Sequence, residues 1–292
     1  MLLQVIVNGL LMGGVFALVA VGLTMIHGVM KIVNFAQGDF LVVGMFLTYV
    51  FYGFLPENSL PYWLILAVAS GMYILGCIIF QLSIKKVIGL GDSNYILLTI
   101  GLSFMLQNLL QLVFGANFRS LPVPDQLRMG SWEFLGTQFP ISRTIAFFSA
   151  VVFVLSVNWF LTKTDLGRAM RATSENRVVA ESLGIRSGMV FVTAFAIGTM
   201  FAGLSGLFLS PVQLIFPGVG LPFGLVAMSA MVLGGLGNIK GAFLGGLIIG
   251  LVESFTSTYF NISLAPVAVN LALILVLIFR PYGILGKRRR TA

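Results

Sequence analysis

Three acidic residues lie inside or beside long apolar runs, where a charged group is able to do chemistry. Asp39 begins one apolar arm, Asp92 directly precedes another, and Glu253 lies within a glycine-rich one. An ionisable side chain at membrane depth is costly, so each acid is a candidate functional group. Glu253 has two interpretations, a residue of a transport pathway or a charge that pairs at a helix interface. Asp39 is either a pathway ligand or a cap at the membrane interface.

Amide side chains form a second polar group within one apolar run. Asn108 and Gln111 are three residues apart, and Gln107 and Gln111 are four apart, so each pair shares a face of one helix. Uncharged amides at these positions could line a path for a zwitterionic or neutral polar solute without trapping it. Hydrogen bonding between helices explains the same pattern.

The sequence excludes several other chemistries. His27 is the only histidine and Cys77 the only cysteine, so there is no histidine-based metal cluster and no disulfide framework. The segment GILGKR, 283–288, lacks the spacing of a phosphate-binding loop. No nucleophile motif and no chain of acids and histidines is present. We therefore expect that the chain is not an enzyme, binds no cofactor and carries no proton relay, whereas a sodium-driven mechanism stays open.

The elements that must position these groups are those of an integral membrane protein. Of the 292 residues, 58 % are hydrophobic and 9 % are charged, whereas about a quarter of a soluble domain is charged. The net charge of +8 is attributed to membrane topology, and no nucleic-acid partner is expected. Because roughly 20 apolar residues cross a bilayer, we predict an all-α bundle of about eight or nine transmembrane segments in a single domain, 1–292. The predicted spans are 4–26, 40–54, 62–84, 95–114, 144–161, 189–209, 264–279 and two within 223–259.

Charge asymmetry predicts the orientation of the bundle. If the charged loop 163–187 is cytoplasmic, every basic residue except Arg119, Arg128 and Arg143 falls on the cytoplasmic side. Arg119 and Arg128 belong to a long loop on the other side, 115–142, and Arg143 directly follows it. The N-terminus is then outside and the basic tail KRRR, 287–290, inside, which requires 223–259 to cross twice around a break at 234–241. A re-entrant arm is the alternative.

The sequence of the charged loop predicts a short helix, and residue types indicate both of its ends. Thr173 or Ser174 is predicted to cap its N-terminus, Glu175 to lie in its first turn, and Gly184 to follow its last turn. A helix this short is unstable alone, which suggests that it docks on another surface.

The short helix presents two pairs of side chains four residues apart. Arg177 and Glu181 lie on one side, and Val179 and Leu183 on another. Either pair could contact a partner while the other packs on this chain.

Two segments at interruptions of apolar runs resemble each other. NFAQGDFLVVG, 34–44, and NIKGAFLGG, 238–246, share Asn, then Gly-x-Phe-Leu, then Gly. Paired broken helices in two related halves, with substrate near the break, are common in transporters. Chance similarity in a chain rich in glycine, phenylalanine and leucine is the alternative. The predicted translocation-path residues are Asn34, Gln37, Gly38, Asp39, Asn108, Gln111, Gly235, Gly237, Asn238 and Glu253.

Small residues four positions apart predict where helices pack closely. Gly9 with Gly13 and Gly246 with Gly250 form such pairs, as do Ala202 with Gly206 and Gly241 with Gly245.

Three motifs together resemble the membrane permeases of branched-chain amino acid ABC importers. They are VNFAQGDFLVVGMFLTY, then TDLGRAMRATSENRVVAESLGI followed by FVTAFAIGTMFAGLSGLF, then VLGGLGNIKGAFLGGLIIGLVE. The resemblance covers nearly the whole chain, in the family's order. NFAQGDF is more similar to the amino-acid branch than to the urea branch, which tends to have histidine in place of Gln37. Within the family, the chain resembles the first of the two permease subunits.

The resemblance implies an inner-membrane subunit that forms a path for branched-chain amino acids. Its expected partners are a second permease, identical or different, a periplasmic binding protein and two cytoplasmic ATPases that carry ATP and Mg²⁺. A permease for urea, amides or other amino acids is an alternative, and a self-sufficient secondary transporter is a more distant one. Ala180, Gly184 and Ile185 match the Ala-x-x-x-Gly-Ile core of the family's ATPase-coupling region, although Glu181 follows Ala180 where other importers have the acid before it. The implied coupling residues are Arg168, Arg171, Glu175, Arg177, Ala180, Glu181, Leu183, Gly184 and Ile185.

Overall fold

The computed structural model describes residues 1–54, 63–123, 130–134 and 136–286. The turn at 56–61, part of the loop 115–142 and the basic tail 287–290 lie outside the described residues. The helices are α1 Leu2–Met30, α2 Gln37–Gly53, α3 Trp63–Val87, α4 Asp92–Phe114, α5 Ile141–Lys163, α6 Asp165–Glu175, α7 Arg177–Ser182, α8 Ser187–Leu209, α9 Gly220–Gly234, α10 Ile239–Tyr259 and α11 Ala265–Phe279. An antiparallel hairpin, β1 Ser131–Phe134 and β2 Thr137–Pro140, precedes α5.

Long apolar helices dominate the described part of the chain, as predicted. Eight of them are long and apolar enough to cross a membrane, counting the 3-10 turns that lead into α9 and α11. The 17-residue α2 is nearly as long and equally apolar in sequence. Within 223–259 the chain forms two separate helices, α9 and α10, with a break at 235–238, inside the predicted interval 234–241. The chain is a polytopic helical membrane protein.

Two helices form the centre of the bundle. In α1 and α8, 89 % and 83 % of the most apolar stretch is buried, whereas for α11 the figure is 11 %. Both central helices are apolar on every side, as expected of helices that other helices surround. Helices α3, α4, α5 and α11 expose apolar side chains around this core, which suits contact with lipid or with another subunit.

Glycines allow α1 and α10 to pack with their backbones in contact. A methyl group on Gly13 would lie 2.8 Å from Leu247 Cα, and one on Gly9 would lie 2.9 Å from Leu251 Cα. On the facing helix, Gly250 and Gly246 are equally tight against α1. The small residues predicted from spacing therefore do lie at helix–helix contacts.

Helix α2 begins at half the depth of the bundle. The Gln37 side-chain amide donates to the Gly198 carbonyl oxygen at 3.1 Å, and Gly198 is the middle residue of the 23-residue α8. Gly38, one residue later, is packed against Gly220 and Gly224 at the start of α9. Two broken helices thus start beside each other at half depth and run to opposite ends, which the sequence predicted only in general terms.

The first interruption differs from its predicted bounds. Helix α1 continues through His27 to Met30 and ends at Lys31, whose φ of 61° is left-handed. The break is therefore 31–36 and not 27–39. Asp39 lies inside the first turn of α2, because that helix already begins at Gln37.

Candidate functional site

A cleft lies where α2 and α9 begin. Its walls are lined by Asn34, Phe35, Gly38, Asp39, Gly220, Leu221, Gly224, Leu225 and Met228. Glycines on both helices let the two backbones touch here, since a methyl group on Gly38 or Gly220 would overlap the facing helix. The cleft lies at half depth and has a volume of about 30 Å³, room for about one water-sized group.

Two buried side-chain amides hold the irregular segment that precedes α2 in place beside the cleft. The Asn34 side-chain oxygen accepts from the Ala36 N–H at 3.1 Å, and its amide nitrogen donates to Gln37 Oε1 at 3.3 Å. Gln37 in turn donates to Gly198 of α8. The structure thus brings these two predicted path residues together, and their hydrogen bonds hold the irregular segment in place.

Asp39 connects α2 to α4 at the cleft. It is only 3 % exposed, and its Oδ1 accepts from the Gln107 side-chain amide at 2.9 Å. The same Gln107 amide also donates to the Ser103 hydroxyl oxygen at 3.4 Å. Asp39 therefore lies in the interior and not at the membrane interface. The sequence placed Gln107 on one face with Gln111 and did not predict the contact between Gln107 and Asp39. The four-residue spacing of Ser103 and Gln107, which puts both side chains on one side of α4, was a signal of that contact.

Two predicted path residues do not reach the cleft within this single chain. Asn108 and Gln111 are exposed on the outer side of α4, and the Asn108 amide donates to its own helix at Phe104 O, 2.7 Å away. For Asn108 the reason is rotation, since one residue along a helix turns the side chain by about 100° from the position of Gln107. Gln111 lies one turn further along α4 than Gln107, beyond the reach of the cleft.

The break between α9 and α10 lies at one end of the bundle. Gly235 packs against Gly286, and Gly237 approaches Gly28 near the end of α1. Asn238 accepts from the Gly241 N–H at 3.1 Å and so caps α10. The 15-residue α9 separates this break from the cleft by about 22 Å. The segment that faces 34–44 at half depth is instead 217–224.

Glu253 is half-buried near the first turns of α1, apart from the cleft. One of its carboxylate oxygens has no hydrogen-bond partner among the described residues, and Arg143 at the start of α5 acts on it electrostatically. The neighbouring Ser254 hydroxyl donates to Val5 O at 2.8 Å. This position favours the interpretation of Glu253 as a charge paired at a helix interface.

The charged loop contains two helices, α6 and α7, where we predicted one. Thr164 caps α6 by accepting from the Gly167 N–H at 3.1 Å. Asn176 caps α7 by accepting from the Val179 N–H at 3.2 Å. The prediction of Thr173 or Ser174 as the cap was wrong, because both residues, with Glu175, belong to the end of α6.

Helix α6 is amphipathic and lies on the end of the bundle. Its buried residues, Gly167, Met170 and Thr173, recur every three positions. A methyl group on Gly167 would overlap the end of α5, so glycine permits the sharp turn between the two helices. Arg168 and Arg171 are therefore exposed, and Arg168 pairs with Asp165.

Helix α7 ends as predicted at Gly184. That residue has a φ of 85°, its N–H donates to Glu181 O, and the Ile185 N–H donates to Ala180 O, each at 3.0 Å. These two bonds form a Schellman cap. Ala180 is 1 % exposed, so it is the contact between α7 and the bundle.

The two sides of α7 have different surroundings. Arg177 Nε lies 2.8 Å from Glu181 Oε1, and its guanidinium lies 5.3 Å from the centre of the Phe191 ring of α8. Ser187 of α8 donates to the same Glu181 carboxylate. The polar pair thus contacts this chain itself. The exposed apolar side chains are Val178, Val179 and Leu183, with exposed fractions of 71 %, 53 % and 76 %.

We expect the docking of α7 on α8 to depend on pH. The Ser187 hydroxyl, followed by the Arg177 guanidinium, lowers the pKa of Glu181 below its ordinary value of 4.5. The docked helix therefore binds fewer protons than a detached one, so the contribution of Glu181 to docking is complete above about pH 5 and weakens as pH falls through its lowered pKa. A spin label at residue 178 should stay immobile down to that pH and become mobile below it. In Glu181→Gln the same label should show no such transition, and a transition there would assign it to another group.

The fold and the two sites define a class of protein, a membrane transport subunit with a half-depth cleft and a structured charged loop. The chain belongs to the family of permease components of branched-chain amino acid transport systems, whose model matches residues 5–280.

Full-length relatives carry matching names. The high-affinity branched-chain amino acid transport system permease protein BraD of Pseudomonas aeruginosa is 31 % identical, with 98 % of this chain and 96 % of the relative covered. LivH of Escherichia coli strain K12, with the same description, is 32 % identical at the same coverage. A probable branched-chain amino acid permease LivH of Methanocaldococcus jannaschii is 28 % identical over 97 % of this chain and 92 % of the relative. No solved structure matches the chain.

Proposed function

We propose that this chain is the permease subunit of an ATP-driven importer and forms the path for branched-chain amino acids. The observation that carries the proposal is the half-depth cleft between α2 and α9 in a chain of this family. The cleft joins a carboxylate and an amide to apolar side chains, as a zwitterion with an aliphatic side chain requires. The chain itself catalyses no reaction and holds no cofactor, since ATP and Mg²⁺ are bound by partner subunits.

A second permease completes the path in this proposal. The exposed side of α4 carries Asn108 and Gln111, and the adjoining start of α9 exposes Leu221 and Leu225. Polar amides on a lipid-facing surface are unfavourable, so a protein or aqueous neighbour is expected there. A copy of this chain or a related permease would place these amides along the path. Lipid covers α11 and the exposed sides of α3 and α5.

The ATPases dock on the charged loop, and this loop is cytoplasmic. Arg168 and Arg171 of α6 are exposed, and α7 presents Val178, Val179 and Leu183 to a partner. The positive-inside rule then places the N-terminus outside and the C-terminus in the cytoplasm of a bacterium whose inner membrane holds the protein. A periplasmic amino-acid-binding protein delivers the solute at the other end of the bundle.

Reconstitution tests the proposal. Vesicles with this chain, its permease partner and the ATPases should accumulate leucine only with external binding protein and enclosed ATP. Uptake by this chain alone along a solute or sodium gradient would contradict it and favour a secondary transporter. Competition by urea, amides and other amino acids separates the alternatives within the family.

We expect Glu253→Gln to leave transport intact. The side chain keeps its size and lies beside α1 and Arg143, away from the cleft, so leucine uptake should change by less than about twofold while thermal stability shifts by about 1 kcal/mol. Vesicle uptake and a melting curve of the same preparation measure both. Loss of uptake at unchanged melting temperature would instead place Glu253 in the pathway.

A further inference from the structure

We propose that the Asp39 carboxylate binds the ammonium group of the amino acid as it passes the half-depth cleft. This inference rests on the proposed function and adds the group of the solute that the permease itself recognises. Asp39 would then determine specificity, in addition to its structural role in the first turn of α2.

Asp39 has the position that such contact requires. It lines the cleft together with Gly38, Gly220 and Gly224, the three glycines at which the starts of α2 and α9 are in contact. It follows Gln37 by two residues, or about 3 Å of helix rise, so it lies close to the middle of α8 in depth. A solute at this depth has left both water phases.

The cleft contains no protein cation to balance this carboxylate. The residues that line it include Asp39 and the neutral amide of Asn34, but no lysine or arginine. A buried charge without a partner is unfavourable, and an ion pair with the solute would satisfy both charges at once. The ammonium group of an amino acid has the same requirement when it leaves water.

Hydrogen-bonding capacity also remains on Asp39. Gln107 of α4 supplies a side-chain donor to its Oδ1. An ionised carboxylate has about four acceptor sites, and an ammonium group has three N–H donors. The donor from α4 therefore orients the carboxylate and leaves acceptor sites for the solute.

At about 30 Å³ the cleft has room for an ammonium group but not for a whole amino acid. Beside it Phe35, Leu221 and Leu225 expose apolar surface, against which an aliphatic body would lie. The ligand class is thus a primary ammonium group that carries a short branched hydrocarbon chain.

Asp39 also occupies the first turn of α2, where an acid stabilises a helix. A purely structural role is therefore the competing explanation. It predicts that asparagine, which keeps the size and an acceptor for Gln107, is tolerated.

The first test compares charge variants in the complete importer. With Asp39→Asn we expect leucine uptake to fall by at least about tenfold, because one partner of a desolvated charge pair is lost. Asp39→Glu should restore part of it. Asp92→Asn, an acid in the first turn of α4 that is exposed, should behave as wild type. ATPase stimulation by the binding protein is measured in parallel and should persist in Asp39→Asn. Wild-type uptake by Asp39→Asn would overturn the inference.

The second test uses the unmodified importer, so it does not depend on the folding of a variant. Dicyclohexylcarbodiimide labels buried carboxyl groups, and mass spectrometry gives the ratio of labelled Asp39 to labelled Glu253. We expect leucine and 3-methylbutylamine to lower this ratio, and 4-methylpentanoate, which lacks the amino group, to leave it unchanged. Equal ratios for all three would overturn the inference. Equal protection by sodium chloride but not choline chloride would replace the ammonium group with an inorganic cation.

The outcomes separate this inference from the proposed function. If wild-type vesicles show no ATP-dependent leucine uptake, the proposed function fails. If they do, and both tests on Asp39 are negative, only the recognition of the ammonium group fails.

Discussion

Replacing Gly38 with valine is expected to separate α2 from α9 and to destroy the cleft. A methyl group on Gly38 would overlap the Gly220 carbonyl oxygen and lie 2.8 Å from its carbonyl carbon and 3.0 Å from Gly224 N. These are backbone atoms of a second helix, so no side-chain rotation relieves the overlap. Overpacking of this kind should cost about 3 kcal/mol and lower the melting temperature by about 8 °C. Leucine uptake should be lost with it.

Gly101→Val is the matched control for this change. Gly101 is also within a helix, α4, but no atom lies within 4 Å of where its side chain would begin. Valine there should be neutral or slightly stabilising, because glycine is a poor helix former. Melting curves of the two purified variants measure the difference in their thermal stability. Equal stability would contradict the contact between the starts of α2 and α9.

Replacing Leu183 with glutamate is expected to release the ATPases while the permease stays folded. Leu183 is 76 % exposed at the end of α7 and belongs to the apolar side that this chain leaves uncovered. A buried charge in an interface centre costs about 2 kcal/mol or more, so affinity for the ATPases should fall by about thirtyfold. Surface plasmon resonance with immobilised permease dimers measures it.

Leu90→Glu provides the comparison. Leu90 is 64 % exposed beside the start of α4, at the same end of the bundle but outside the charged loop. ATPase affinity should be unchanged there. If Leu183→Glu also binds normally, the apolar side of α7 is not the docking surface, and the exposed arginines of α6 become the next candidates.

Local patterns were sufficient for much of the fold. Long apolar runs identified the spans because each helix must satisfy its own backbone in lipid. Gly184 identified the end of α7 because a left-handed residue in a Schellman cap favours glycine. The predicted orientation of the two flanking loops required an even number of segments within 223–259, which predicted the break between α9 and α10. Each of these depends on residues that are neighbours in sequence.

Local patterns failed where two interpretations were close in energy. Asn176 and the Thr173–Ser174 pair are all acceptable caps, and the choice depends on where α6 ends. Packing of Met170 and Thr173 into the bundle extends α6 to Glu175, which leaves Asn176 as the cap of α7. The same packing turned Arg177 and Glu181 towards α8 and left Leu183 exposed.

The sequence by itself determined the class of protein, the long apolar helices, the charged loop and a set of polar residues that contained the cleft's Asn34 and Asp39. Only the tertiary structure decided which polar residues meet. It joined Asp39 to Gln107 and placed Asn108 and Gln111 on the outer side of α4. It also set α2 beside α9 at half depth. The physical reason is that helices such as α1, α8 and α9 are apolar on every side, so their sequence carries no preferred rotation. Close approach of glycines on different helices fixes that rotation, and this is a contact between distant residues.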